Sequence, residues 1–139
     1  MRSLLVLALV TGTAGAQGWE VRVPERVDVV PGESGTLAVS IAVDRGLTVS
    51  RDAPVILDVT PPQGLTVRKR RLGRGEAVDP EADAPRFAIP VRGDVPGEHA
   101  VKLRLRFWLC GAKTCRPIDV RRSATIAVST PAPPVDAGP

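Results

Sequence analysis

The sequence has 139 residues, 24% charged, 43% hydrophobic and 3% aromatic, with 13 Gly, 14 Pro, one His, two Cys, no Tyr and a formal net charge of +4. This is the length of one domain, and a chain of this size buries roughly two-thirds of its unfolded surface, so disulfide stapling is not obligatory. No apolar run reaches the ~20 residues of a membrane-spanning helix, one His and two Cys fall short of a structural zinc site's ligand set, and the Pro content opposes long helices.

In chain order, residues 1–16 read as a secretory signal peptide. Met1-Arg2 supplies the positive start, Leu4 to Val10 the apolar run, and Thr13-Ala14-Gly15-Ala16 a small-residue cleavage site after Ala16. The alternative is a buried N-terminal strand. No Cys follows the small residues, so a bacterial-type lipid anchor is not indicated. Export predicts a periplasmic or secreted protein with no integral membrane segment after cleavage. In such oxidising surroundings a Cys pair is usually a disulfide. Residues 17–130 make the domain, and the Pro-rich stretch 131–139 reads as a disordered tail.

Within the domain the apolar residues alternate, as in half-buried strands. Val21, Val23, Val27 and Val29 predict a first strand interrupted at Pro24, a residue tolerated on a sheet edge. Leu37–Val43, Val55–Val59, Phe87–Val91 and the shorter pieces at Leu47/Val49 and Leu65/Val67 follow, separated by Pro/Gly turns. With the two long segments described next, this predicts an all-β chain. Seven or eight antiparallel strands are close to what an immunoglobulin-like β-sandwich needs.

The most informative constellation is the stretch His99–Cys110, the turn Gly111-Ala112-Lys113-Thr114, and the strand opened by Cys115. Val101, Leu103, Leu105, Phe107 and Leu109 share one face, while Lys102, Arg104, Arg106, Trp108 and Cys110 share the other. A hairpin pairing Cys110 with Cys115 sets Trp108 opposite Pro117, Phe107 opposite Ile118, Arg106 opposite Asp119 and Leu105 opposite Val120. Apolar then meets apolar inside, and a cation faces a carboxylate outside. One pair is discordant, Leu103 against Arg122. Opposed Cα atoms in antiparallel strands lie ~4.5–5.5 Å apart, which suits a disulfide. Both cysteines have the parity of the outer face, at a strand tip, with Lys113, Arg116 and Arg106 nearby in sequence or register. Positive neighbours favour the thiolate that attacks and leaves in exchange. Two roles stay open on this spacing: an accessible, reducible pair, or an inert clip on a hairpin.

The run Val101-Lys102-Leu103-Arg104-Leu105-Arg106-Phe107-Trp108-Leu109-Cys110, with Cys115-Arg116-Pro117 and the upstream Phe87-Ala88-Ile89-Pro90-Val91, resembles the N-terminal periplasmic domain of DsbD-type thiol:disulfide interchange proteins. The resemblance implies an immunoglobulin-like fold and a redox-active pair, Cys110 and Cys115, at the end of a hairpin. It also implies electron transfer with a thioredoxin-like protein or a membrane electron-transfer partner, with no metal or organic cofactor. Only Cys110 and Cys115 carry over from the family; the hairpin register, not the resemblance, offers Trp108, Arg106 and Asp119 as a surround of the pair. In that family an aromatic-bearing cap loop shields the cysteines; the counterpart here, Leu72 to Ala84, contains no aromatic residue. The other reading is a non-catalytic binding or scaffold domain with a structural hairpin disulfide.

The remaining signals favour plainer roles. Arg68-Lys69-Arg70-Arg71 with Arg74 is a basic run, but an exported chain with few aromatics is not expected to bind nucleic acid. Glu76, Asp79, Glu81 and Asp83 follow as a balancing acidic loop without a calcium motif. His99 lacks a Ser or Cys motif that would make it part of a triad. Trp19 is expected to dock the first strand.

Overall fold

The alternating segments form strands that pack as two sheets in the computed structural model, which describes residues 18–130. The expected signal peptide and tail lie outside the described residues. Ten strands run in order: β1 (Trp19–Arg22), β2 (Arg26–Val29), β3 (Ser34–Val43), β4 (Thr48–Val49), β5 (Ile56–Thr60), β6 (Leu65–Thr66), β7 (Arg71–Leu72), β8 (Arg86–Gly93), β9 (Gly97–Cys110) and β10 (Cys115–Val128). The expected seven or eight become ten, with the first strand split in two and the short β7 added.

The smaller sheet has the order β1-β3-β8-β6, and the larger runs β2-β10-β9-β5-β7 with β4 also on β9. Hairpin neighbours β9 and β10 share the larger sheet while β3 and β8 pair in the other, which is the strand distribution of an immunoglobulin-like sandwich. All pairings are antiparallel except β2 with β10, which is parallel. The split at Pro24 explains this. The chain pairs with β3 up to Arg22, then crosses to β10 from Arg26, so the residue that cannot donate to a ladder sits between the sheets rather than on an edge.

The core follows the period-two pattern. Leu37, Val39, Phe87, Ile89 and Val91 from the smaller sheet meet Leu57, Leu103, Leu105, Phe107 and Ile126 from the larger one, all at most 4% exposed. Trp19 docks β1 by placing its ring edge-to-face against Phe107 at 6.1 Å between centroids. Among the described residues no polar or charged side chain is buried outright, and no helix is long and apolar enough to cross a membrane.

Candidate functional site at the hairpin tip

The β9–β10 ladder has the register expected from parity. Cys110 pairs with Cys115, Trp108 with Pro117, Phe107 with Ile118, Arg106 with Asp119, and Leu105 with Val120. Even the discordant pair is present, Arg122 opposite Leu103. Leu103 is buried while Arg122 is exposed, between the buried Val120 and Ala124.

The cysteines are joined, with Cα atoms 4.0 Å apart. The Gly111 N–H donates to the Thr114 carbonyl at 2.9 Å, which makes the next pair outward along the ladder, Cys110/Cys115, a non-hydrogen-bonded one. Such pairs bring side chains closest together, and that is where a disulfide fits. The same alternation puts Pro117 in a non-hydrogen-bonded pair, with its missing N–H directed at an edge that no strand occupies among the described residues. Cys115 is exposed and Cys110 half-buried. Leu47 and Leu109 lie toward the core side of the tip, so the bond is on the outer face, away from the core.

On that face Trp108, 40% exposed, lies beside Cys110 and opposite Pro117. With Pro54 and Ile56 these two line an apolar groove of about 250 Å³. Arg106 and Asp119 sit further down the ladder, four residues from the cysteines, or ~14 Å at 3.4 Å per residue. They do not bond to each other. Arg106 Nη2 donates to Asp58 at 2.7 Å, and Arg104 reaches Asp119 through two hydrogen bonds of 3.0 and 2.7 Å. Both contacts are diagonal. A long guanidinium spans the diagonal of a ladder as readily as the direct step, and Asp58, on the other side of β9, competes for Arg106. Arg71 also binds Asp58 at 2.7 Å. Arg71 chiefly, with Arg106, therefore holds the Asp58 carboxyl below its usual range, and Arg104 does the same for Asp119.

The neighbour of Cys110 that sequence reasoning missed is Thr48. It pairs with Cys110 across β4–β9 and shares its face. The Thr48 hydroxyl lies within hydrogen-bond reach of the Asp83 carbonyl and carboxylate, and the Val49 N–H donates to the Asp83 carbonyl at 2.8 Å. Arg74 clamps this loop. Its guanidinium donates to the carbonyls of Val49, Ser50, Pro80 and Ala82 at 2.8 to 3.1 Å. Segment 74–84 is thus anchored to the strand flanking Cys110 by an arginine rather than by aromatic packing. Nothing local in the sequence marks the pairing of Thr48 with Cys110, nor the arrival of Asp58 beside Arg106.

The other charged signals resolve as structure. Lys69 pairs with Glu76, whose carboxyl is lowered by that ammonium. His99 Nε2 donates to the Val95 carbonyl at 2.7 Å, and its ring covers Gly64, where φ is +98° and a Cβ would meet the ring at 2.6 Å. No cluster of potential metal ligands occurs among the described residues.

No protein-family model and no curated protein matches the sequence. Solved structures are similar in shape. Domains 4 and 5 of the S-layer protein SbsC align with a TM-score of 0.46 at 13% identity, covering 80% of this chain and 45% of that one, so this chain spans less than half of that structure. Murine CRIg aligns with a TM-score of 0.46 at 8% identity, covering 81% of this chain and 98% of that one. Trypsin-activated alpha-2-macroglobulin from Escherichia coli aligns with 0.43 at 12% identity, over 80% of this chain and 7% of that one. None of them assigns an activity to this chain.

Proposed function

We propose that this protein is an exported thiol–disulfide exchange module, periplasmic or secreted, whose Cys110–Cys115 pair passes two electrons to or from a thioredoxin-like partner. The resemblance to the DsbD-type N-terminal domain motivates the reading. The observation that carries it is an exposed disulfide set across the last pair of a long ladder. The core lies on the opposite face, so the bond opens without uncovering apolar surface.

In the chemistry proposed, a donor thiolate attacks the sulfur of Cys115, the more exposed residue of the pair. The S–S bond breaks and Cys110 leaves as a thiolate that takes a proton from solvent. The donor's second thiol then attacks the mixed disulfide. Cys115 is released reduced and the donor is left oxidised, two electrons and two protons having moved. Toward an acceptor disulfide the same steps run in reverse. Trp108, Pro117 and their apolar groove give the partner a dry surface beside the sulfurs, and Thr48 is the polar neighbour of Cys110. No metal or organic cofactor takes part.

A redox titration of the mature protein, read by thiol alkylation and mass, tests this. A potential near about −200 mV, with rapid reduction by a thioredoxin-like dithiol, is the expected result; a potential below about −300 mV marks a structural bond and overturns the proposal. The second reading is a non-catalytic binding or scaffold module with a structural hairpin disulfide. It is favoured by the loop 74–84, which brings no aromatic side chain to the cysteines.

A further inference from the structure

The outer face of the larger sheet carries six cations, Arg26, Arg71, Lys102, Arg104, Arg106 and Arg121, and four carboxylates, Asp28, Asp58, Glu98 and Asp119. Arg26 pairs with Asp28 and Glu98 at the β2 end, which leaves five cations to two carboxylates along the middle of β9 and β10. Arg104 and Arg121 are direct cross-strand partners. Like charges placed so are destabilising, and Asp119 relieves only Arg104 through hydrogen bonds. Around this pair lies a groove of about 640 Å³, lined by Lys102, Arg104, Arg121 and Arg122 with the hydroxyl residues Thr60 and Ser123. No salt bridge to a carboxylate is formed by Lys102, Arg121 or Arg122 among the described residues.

A second feature adjoins the groove. The strand β2 pairs with β10 only at Thr125–Val128, so the outer edge of β10 from Cys115 to Ala124 has no strand beside it among the described residues. The alternation fixed by the Gly111–Thr114 bond, and confirmed where the Thr125 N–H donates to Glu25, turns the N–H and C=O of Asp119, Arg121 and Ser123 toward that edge. Arg122 Nη1 donates to the Arg121 carbonyl at 2.9 Å, so along this line the N–H groups of Asp119, Arg121 and Ser123 are offered together with the cations.

We propose that this edge and groove bind an extended acidic polypeptide segment, which adds to the larger sheet beside β10 and sets its carboxylates against Arg121, Arg122, Arg104 and Lys102. Strand addition takes affinity from the main chain and specificity from alternate side chains. The occupant's carboxylates fall on both of its faces, one meeting Arg121 on the outer side and one meeting Arg122 on the other. Asp58 and Asp119, held ionised by their arginines, interrupt the cationic field and oppose a uniformly charged polymer, whereas spaced carboxylates fit between them. A second copy of this chain is disfavoured, because its matching edge would bring cations against cations. The inference is independent of the proposed exchange and stands under either reading of the disulfide.

The test uses the oxidised mature protein and two labelled eight-residue peptides, one repeating Glu-Glu-Val-Val, which puts carboxylates on both faces of a strand, and one repeating Gln-Gln-Val-Val. Anisotropy is expected to show the Glu peptide binding at least tenfold tighter, with the difference shrinking as salt rises. R121Q/R122Q is expected to remove that advantage and K69Q/R70Q to keep it. Amide exchange at Arg121 and Ser123 is expected to slow on binding. Equal affinity for the two peptides, loss of the advantage in K69Q/R70Q instead, unchanged exchange at those amides, or binding only to phosphatidylglycerol vesicles would each overturn the proposal.

Discussion

The two ends of the β9–β10 hairpin are built from one pattern and do different things. In the lower part, Val101 to Phe107 and, apart from the exposed Arg122, Val120 to Val128 bury alternate side chains toward the core, with β5 pairing β9 along Lys102–Arg106 and β2 pairing β10 at Thr125–Val128. At the tip, from Trp108 to Pro117, nothing among the described residues covers the outer face or pairs with the free edge of β10, and there the disulfide sits. The same hydrogen-bonded ladder runs through both, so the difference lies in what each end's side chains touch. Burial is concentrated at the lower end, so opening the disulfide at the tip is expected to leave the sandwich folded.

The sharpest way to break this contrast is at the buried end. Phe107 is 1% exposed and holds the ring of Trp19. Phe107→Ala removes that contact and leaves a cavity, an expected loss of ~3–5 kcal/mol in denaturant unfolding. A loss below ~1 kcal/mol would show that the core relaxes around the site and that the two ends are less distinct than the burial indicates. Arg74 is next. Arg74→Ala withdraws four charge-assisted hydrogen bonds and is expected to cost ~1–3 kcal/mol. The readout that separates a clamp from general destabilisation is amide exchange at Val49, which bonds to Asp83. That amide should speed up more than those of Leu105 or Ile126.

At the tip, replacing both Cys110 and Cys115 by Ser should do less. Loop-closure entropy gives at most about 2 kcal/mol for so short a loop, and the ladder already holds the ends together. A collapse of the melting temperature would make the bond a structural brace and favour the scaffold reading. Near-native stability would leave the pair free for exchange. In antibody-type sandwiches the bridging disulfide joins the two sheets through the core; this one joins neighbours within a single sheet.

Much of this hairpin was legible in the sequence because its information is local. Period two fixes which face each residue takes, a four-residue turn fixes the register, and together they placed Cys110 against Cys115 and Arg122 against Leu103. The sheet crossing at Pro24 was legible only as an interruption, since the partner of each half lies far along the chain. The ion pairs were misassigned for a related reason. Parity put Arg106 and Asp119 on one face, but the choice between direct and diagonal partners depends on Asp58 from β5, which no local pattern brings there. Thr48 beside Cys110 and the reach of Arg74 to Ser50 depend on the same kind of distant pairing.

The smallest expected effect tests whether the charged platform below the tip is separable from it. Asp58 takes Arg71 and Arg106, its side chain is 25% exposed, and its carboxyl is lowered by those partners. A depressed folded value means the unfolded chain binds protons first as pH falls, so the stabilisation is complete above the unfolded value of ~4 and is lost as pH drops through the folded one. Melting temperature should therefore change little on this account from neutral pH to about 5 and fall below ~4, and Asp58→Asn should flatten that acid limb while lowering stability at neutral pH. Asp119→Asn should act in the same direction and more weakly, because its carboxylate is solvated and its pairing screened. Neither change should alter the rate at which a small neutral thiol reduces Cys110–Cys115, since Asp58 and Asp119 lie at least ~14 Å down the ladder from the sulfurs. A changed rate in either variant would mean that the ion-pair lattice sets the position of Trp108 or the cysteines, and the two ends of the hairpin would then have to be treated as one unit.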